Sequence, residues 1–403
     1  MKTTLCIALL LVASAAHALA AEDATSKQTA DFRQGQKRAD AEQAAADSAL
    51  ADLKKRAAAG DATAQFELGV LYYYGQGVTQ NYAQARVWWE KTAAQGFGTA
   101  QYNLGVLYAE GQGVQQNYTK AREWFEKAAV QDVAQAQHNL GVLYSRGQGV
   151  PQDYAQAIAW YEKAAALGYA DSQYNLGVSY AKGQGVVQDY EKARTWYEKA
   201  AVQGSAQAQY HLANLYAYGL GTPPDYIQAR KWWEKAALQG YADAQYNLGA
   251  IYSAGRSVPQ DYGKARMWWE QAAAQGDSKA QYNLGAFYYK GQGVAQDYDK
   301  ARAWFEKSAA QGDAAAQYNL GVLYAEGQGV ARDYGQARQW WEKAAAQGDA
   351  DAQYNLGVLY LNGDGVPQDI NKARAWYEKA AAQGKEKAKQ TLQKISQKTG
   401  KQP

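Results

Sequence analysis

Cysteine and histidine are almost absent from this chain: its 403 residues hold one cysteine, Cys6, and three histidines, His17, His138 and His211. A single thiol excludes a disulfide framework and a cysteine-built metal centre. Proline is scarce as well, and Pro151, Pro223, Pro224, Pro259 and Pro367 all fall in short turns. Charge of one sign is missing. The formal net charge is +3, with Lys/Arg and Asp/Glu alternating along the chain, so no basic stripe suggests a nucleic-acid partner. A mean hydropathy of −0.59 excludes a multispan membrane protein.

One apolar run stands apart, at the start. Lys2 precedes Leu5 to Val12, and small residues follow up to Ala18-Leu19-Ala20. This pattern reads as a secretory signal over residues 1–20 with cleavage after Ala20, and it is too short to span a bilayer. Cys6 does not occupy a lipoprotein-type position, so the mature chain is expected to carry no cysteine and no membrane span. The expected location is the periplasm or the exterior of a Gram-negative-like bacterium.

What the chain has in abundance is aromatic residues, with 33 Tyr and 13 Trp, and 39 Gly. They are distributed periodically. The stretch Ala316 to Gly348, AQYNLGVLYAEGQGVARDYGQARQWWEKAAAQG, recurs every 36 residues, and its Gly321 column holds Gly69, Gly105, Gly141, Gly177, Ala213, Gly249, Gly285 and Gly357. Nine copies therefore run without insertion or deletion over residues 61–384. A fixed period in the thirties is the signature of a stacked helical array.

Each copy carries its own punctuation. Ala64, Leu68, Leu71 and Tyr72 share one face, which predicts a first helix over Ala62 to Tyr74. Gly75 and its counterparts end it in all nine copies, and a second Gly follows two residues later in eight, with Ser257 the exception. Asn81, Asn117 or an Asp then caps a second helix whose buried face is Tyr82, Ala85, Trp89, Thr92 and Ala93. Connections this short force antiparallel neighbours. Gly69 lies mid-helix, where it costs roughly 1 kcal/mol relative to Ala, so a close partner is expected there, namely the small Ala85 and Ala93 columns. Residues 21–37 are expected to be a flexible leader, 38–60 an N-terminal capping helix, and 385–403 a C-terminal capping helix with a basic tail. The fold class predicted is all-α: an α-solenoid of nine helix-turn-helix repeats with polar caps at both ends.

Leu68-Gly69-x-x-Tyr72, Gly75-x-Gly77-Val78, Ala85, Trp88-Trp89-Glu90-Lys91 and Ala93 resemble the Sel-one-like repeat, a relative of the tetratricopeptide repeat. The resemblance covers about residues 60–384 in all nine copies. It implies a right-handed superhelix of helix pairs that acts as a scaffold or adaptor for other proteins, often exported in bacteria. One branch of that family has a cysteine pair in each repeat, and this chain lacks it.

Two aromatic ladders are candidate binding elements. Trp88 and its counterparts, with Trp, Phe or Tyr always adjacent, could stack on a glycan or peptidoglycan, though packing between helices explains them more simply. The second ladder is Phe66, Tyr102, His138, Tyr174, Tyr210, Tyr246, Tyr282, Tyr318 and Tyr354, about 160° from Leu68 around the first helix. In the tetratricopeptide-like fold this face lines the concave groove, with Val70 and its equivalents one turn on. The resemblance thus implies a partner-binding groove of Tyr102, His138, Tyr174, Tyr210, Tyr246, Tyr282, Tyr318 and Tyr354, suited to a peptide or helix of a protein partner. Contact with neighbouring repeats is the competing reading of these rings.

Catalytic signals are weak. His138 and His211 each replace the usual residue of a repeat column, which favours repeat variation over metal binding. Ser179-x-x-Lys182 and Lys398-Thr399-Gly400 match two elements of penicillin-binding enzymes, but no Ser-Asp-Asn is present. No enzyme activity and no cofactor are expected. Arg86 and Glu90, four residues apart, predict ion pairs on the outer face. Departures from the pattern concentrate at His211, Ala213, Pro223-Pro224, Arg256 and Ser257, which suggests a bend, a partner-specific contact or simple drift.

Overall fold

A computed structural model describes residues 26–399, with side chains for residue 36 and residues 38–397. The expected signal segment, Cys6 and Ala20 lie outside the described residues, as do Gly400 and the side chains of Lys398 and Thr399. Among the described residues there are twenty helices and no strand. None of these helices is long and apolar enough to cross a membrane. The chain is an all-α solenoid that divides into two compact units, Met1–Ala200 and Ala201–Pro403.

The first unit opens with α1 (Ser26–Ala58), which packs Ala57, Leu50 and Leu53 against Ala64, Leu68 and Trp88. Residues 21–37, expected to be a flexible leader, are thus helical from Ser26 onward. The cause is compositional: Ala, Gln, Lys and Arg dominate, with Gly35 the one breaker and no proline. Four helix pairs follow in this unit. The first helices are α2 (Ala62–Tyr74), α4 (Gly98–Glu110), α6 (Ala134–Arg146) and α8 (Ala170–Lys182). Their partners are α3 (Tyr82–Ala94), α5 (Tyr118–Ala129), α7 (Tyr154–Ala166) and α9 (Tyr190–Val202), the unit boundary falling within α9.

The second unit repeats the scheme. Its first helices are α10 (Ala206–Tyr218), α12 (Ala242–Ala254), α14 (Ser278–Lys290), α16 (Ala314–Glu326) and α18 (Ala350–Asn362). The second helices are α11 (Tyr226–Leu238), α13 (Tyr262–Ala274), α15 (Tyr298–Ala310), α17 (Tyr334–Ala346) and α19 (Ile370–Ala382). Finally α20 (Glu386–Thr399) lays Ala388, Leu392 and Ile395 on Tyr377 and Ala380.

Local chemistry accounts for the boundaries. Gly75 adopts φ 71° and its N–H closes α2 onto the Leu71 carbonyl, while the Asn81 side chain accepts from Gln84 N–H to start α3. Between them, Gln80 Nε2 donates to the Tyr73 carbonyl at 2.9 Å and to the Tyr82 hydroxyl at 3.0 Å, so the turn is braced from within.

The core is a stack of small and large residues. Ala85, Trp89, Ala93, Ala100, Leu104 and Leu107 form one buried cluster that joins consecutive repeats. Gly69 does have a close partner on the second helix, but it is not the Ala85 and Ala93 columns. A Cβ built on Gly69 would fall on the indole of Trp89, and one on Gly105 or Gly285 would fall on Phe125 or Phe305. The glycine lets an aromatic edge lie against helix backbone, and burying that ring offsets the propensity cost.

A polar column runs through this apolar stack. Gln65, Gln101, Gln137 and Gln173 are buried, and each donates through Nε2 to a carbonyl eight residues back, at the end of the preceding helix. Its Oε1 in turn accepts from a glutamine thirty residues on, as Gln65 does from Gln95 and Gln101 does from Gln131. In the third repeat the donor is replaced by Leu167, and Gln137 Oε1 is buried without a partner. Leu167→Gln should therefore restore the ladder. Relieving an unsatisfied buried acceptor is worth about 1–3 kcal/mol, and Leu167 is 49% exposed, so little apolar burial is lost. Urea unfolding should show a raised midpoint for the variant, and an unchanged or lowered midpoint would count against the ladder as a stabilising element.

Candidate functional site

First helices of consecutive repeats approach one another in both units: α4 meets α6 in the first, and α14 meets α16 in the second. The face these helices share carries the tyrosine ladder and is the candidate site.

On that face every member of the tyrosine ladder is half-buried. The rings lean onto the aromatic column of their own second helix: Tyr102 on Phe125 at 5.9 Å, Tyr174 on Tyr197 at 5.9 Å, Tyr282 on Phe305 at 5.8 Å and Tyr354 on Tyr377 at 5.4 Å. Tyr102 and Tyr318 also come near polar side chains of the next repeat, Asn139 and Asn355. Burial pushes the Tyr102, Tyr174, Tyr210 and Tyr318 hydroxyls above the usual phenol range, and the Asn contacts at Tyr102 and Tyr318 only partly oppose this. The hydroxyls are therefore neutral hydrogen-bonding groups. Packing and exposure are shared within each ring.

His138 is a ladder member with a different job. Its Nδ1 lies 2.9 Å from Ser172 Oγ of the next repeat, and its ring packs on Tyr161 and Tyr169. Burial lowers its pKa below the ordinary imidazole value, and nearby Asp171 opposes that shift only partly. Ser172 stands where other copies have alanine, so the two substitutions fit each other.

One turn beyond the rings the face opens. A cavity of about 240 Å³ lies between α4 and α6, floored by Phe125 and walled by Val106 and Val142, with Asn139, Glu110 and Arg146 at its rim. Val106 and Val142 belong to the Val70 column, so the open concavity sits beside the tyrosine ladder and not on Tyr102 or His138.

Three of the sequence-level candidates become structural elements. Trp88, Trp124, Trp160, Trp196, Trp232, Trp304, Trp340 and Trp376 each carry a lysine ammonium 3.9–4.2 Å from the ring centroid, and Trp124 packs on the cores of two consecutive repeats. Arg86 and Glu90 pair at 2.9 Å and Arg122 and Glu126 at 3.0 Å on partly exposed side chains. Ser179 is buried while Lys182 is exposed at the end of α8, so the Ser-x-x-Lys pair does not form a surface nucleophile site.

The sequence reading overlooked a further set. Phe97, Val133, Tyr169 and Tyr241 hold the N-cap positions of α4, α6, α8 and α12 and make no side-chain cap hydrogen bond, whereas Asp61, Asp277, Asp313 and Asp349 do in other repeats. Three of them stack on the ladder instead: Phe97 on Phe66 at 5.5 Å, Tyr169 on His138 at 5.1 Å and Tyr241 on Tyr210 at 4.9 Å. Hydrophobic residues at a column that is elsewhere aspartate, or serine at Ser205, were a readable signal.

The Sel1 repeat model matches nine consecutive segments: 62–97, 98–132, 134–169, 170–205, 206–241, 242–277, 278–313, 314–349 and 350–385. The chain belongs to the Sel1 repeat family. Among solved structures, this Sel1 protein is similar to c5321, a protective antigen of uropathogenic Escherichia coli strains with an SLR fold. The identity is 40%, the TM-score 0.80, and the match covers 87% of this chain and 75% of that one. It is also similar to a Sel1 repeat protein from Oxalobacter formigenes, at 37% identity and TM-score 0.60, over 77% of this chain and 90% of that one. No curated protein gives a significant match. The architecture is a Sel1 scaffold of the tetratricopeptide-like kind, which is generally a protein-interaction platform.

Proposed function

We propose that this Sel1 protein is an exported, non-catalytic scaffold whose first-helix face holds a peptide segment or helix of a partner protein. The observation that supports it is the concavity between α4 and α6, where the apolar walls Val106 and Val142 meet the polar rim of Asn139, Glu110 and Arg146. Apolar walls with a few directional polar groups suit a side chain anchored from a peptide backbone. Tyr102, Tyr174, Tyr210, Tyr246, Tyr282, Tyr318 and Tyr354 add half-exposed rings along the same column. Export rests on the leader pattern ending at Ala20, and the description of c5321 as a protective antigen agrees with it. A glycan reading has less support, because the Trp88 ladder carries lysine over its rings.

Affinity capture from the native envelope tests the proposal. Val106→Glu/Val142→Glu should lose the partner captured by the unaltered chain, while the outer-face Glu123→Lys should keep it; circular dichroism checks that both variants stay helical. An identical partner set for all three proteins would remove the first-helix face from the reading.

A further inference from the structure

Four of the substitutions that break the repeat pattern in residues 206–277, Pro223, Pro224, Arg256 and Ser257, lie at or beside one repeat junction. In seven copies a glutamine holds the Pro224 column, Arg332 being the other exception, and it braces the turn inside the repeat, as Gln80, Gln116, Gln152 and Gln260 do by donating to the carbonyl seven residues back. Pro224 occupies that column and cannot donate. Tyr226, whose hydroxyl would have met the missing amide, is contacted instead from the following repeat. Arg256 Nη1 donates to the Tyr226 hydroxyl at 3.3 Å, and the guanidinium lies 5.6 Å from its ring centroid. Ser257, where eight copies have glycine, holds φ 59° and points Oγ at the Tyr226 carbonyl, 3.4 Å away.

An open cavity of about 490 Å³ lies at this cluster. Pro223, Pro224, Tyr226 and Ile227 give it apolar walls, and Thr222 and Ser257 give it hydroxyls. Ile227 is 52% exposed. The one carboxylate lining the cavity, Asp225, is engaged as an N-cap, accepting from the Ile227 and Gln228 amides at 2.9 Å. Arg256 is exposed, and no carboxylate of the described residues pairs with it. Arg256 does not line the cavity, but through its contact with Tyr226 it sets an unpaired positive charge beside the cavity wall. The turn of each repeat meets the start of the second helix before it at every junction, as Gly113 meets Tyr82, and here Pro224 and Ser257 alter both sides of one such junction, which carries the hollow.

We propose that this cluster is a second binding site, separate from the first-helix face, for a short peptide segment that presents a large apolar side chain beside a carboxylate. The apolar group seats between the two prolines and the Tyr226 ring, and Arg256 pairs with the carboxylate while it covers that ring. The cavity is within the range that binds small ligands and is large enough for a dipeptide.

Methyl NMR on the full chain labelled at isoleucine tests this, because Ile227 lines the cavity while Ile158 and Ile370 do not. The probes are acetyl-Pro-Phe with a free carboxylate and the same peptide as its amide. The acid should shift Ile227 saturably and leave Ile370 unmoved, and the amide should bind at least tenfold more weakly. Arg256→Gln should reduce the affinity for the acid at least tenfold, and Pro224→Gln/Ser257→Gly should abolish the Ile227 shift. Both variants restore residues that the chain uses in its other repeats, so their unfolding midpoints should equal or exceed that of the unaltered chain. No saturable shift at Ile227, equal affinity for acid and amide, or unchanged binding by Arg256→Gln would each overturn the proposal.

Discussion

Replacing Phe305 with alanine should destabilise the second unit by about 3–5 kcal/mol, the upper range for truncating a large buried side chain. Phe305 is 1% exposed, and its ring edge lies against Gly285, which has no side chain to move into the space left behind. Tyr282 and Tyr289, at 5.8 and 6.5 Å, are held by their own helix and by neighbouring rings, so collapse would be small. Urea unfolding followed by circular dichroism reads the loss. A cost below about 1 kcal/mol would show that the aromatic-on-glycine contact is loosely packed and is not what offsets the mid-helix glycine.

Gly329→Ala is expected to cost about 2–4 kcal/mol, from two separate sources. Gly329 sits at φ 64°, where an L side chain is strained, and a Cβ there would lie 2.6 Å from the Tyr298 backbone carbon of the preceding repeat. The turn inside one repeat rests directly on the start of the second helix before it. Ser257 shows how the chain can accept a side chain in this column, and there the junction carries an open cavity. If Gly329→Ala unfolds at the same urea concentration as the unaltered chain, the close approach between repeats is not a structural requirement.

Much of the fold could be read from the sequence because each repeat punctuates itself. Gly75 and Asn81 mark where α2 stops and α3 starts, and the expected first helix, Ala62 to Tyr74, is the observed one. The ion pair of Arg86 with Glu90 followed from spacing alone. The interior polar column was not read. Gln65 recurs in all nine copies, but a polar side chain beside the buried Ala64 has no visible partner until the preceding helix end, Ala57 to Ala59, is in place. The start of α1 at Ser26 was not read for the opposite reason: its helix formers were discounted because they had so little to pack against.

The candidate site was less legible than the fold. A helical wheel puts Tyr102 opposite Leu104, yet the ring reaches back to Phe125 on the second helix, a contact that depends on how far the two helices tilt. Val106 and Val142 looked secondary, and they wall the hollow because a valine one turn beyond a leaning tyrosine leaves space unfilled. Ala213 makes a similar point. With a methyl group where eight copies have glycine, Trp233 donates to Asn214 Oδ1 at 3.0 Å, while Trp269 and Trp341 donate to the Tyr246 and Tyr318 carbonyls. A substitution that looks disruptive is absorbed by one redirected hydrogen bond.

The claim that partners bind on the first-helix face is tested most directly by site-specific photo-crosslinking in the native host. A photoreactive residue would be placed at Val142, on the wall of the α4/α6 hollow, or at Glu162, on the exposed face of α7. The account predicts a discrete partner adduct from position 142 and none from position 162. Adducts from 162 with none from 142 would contradict it.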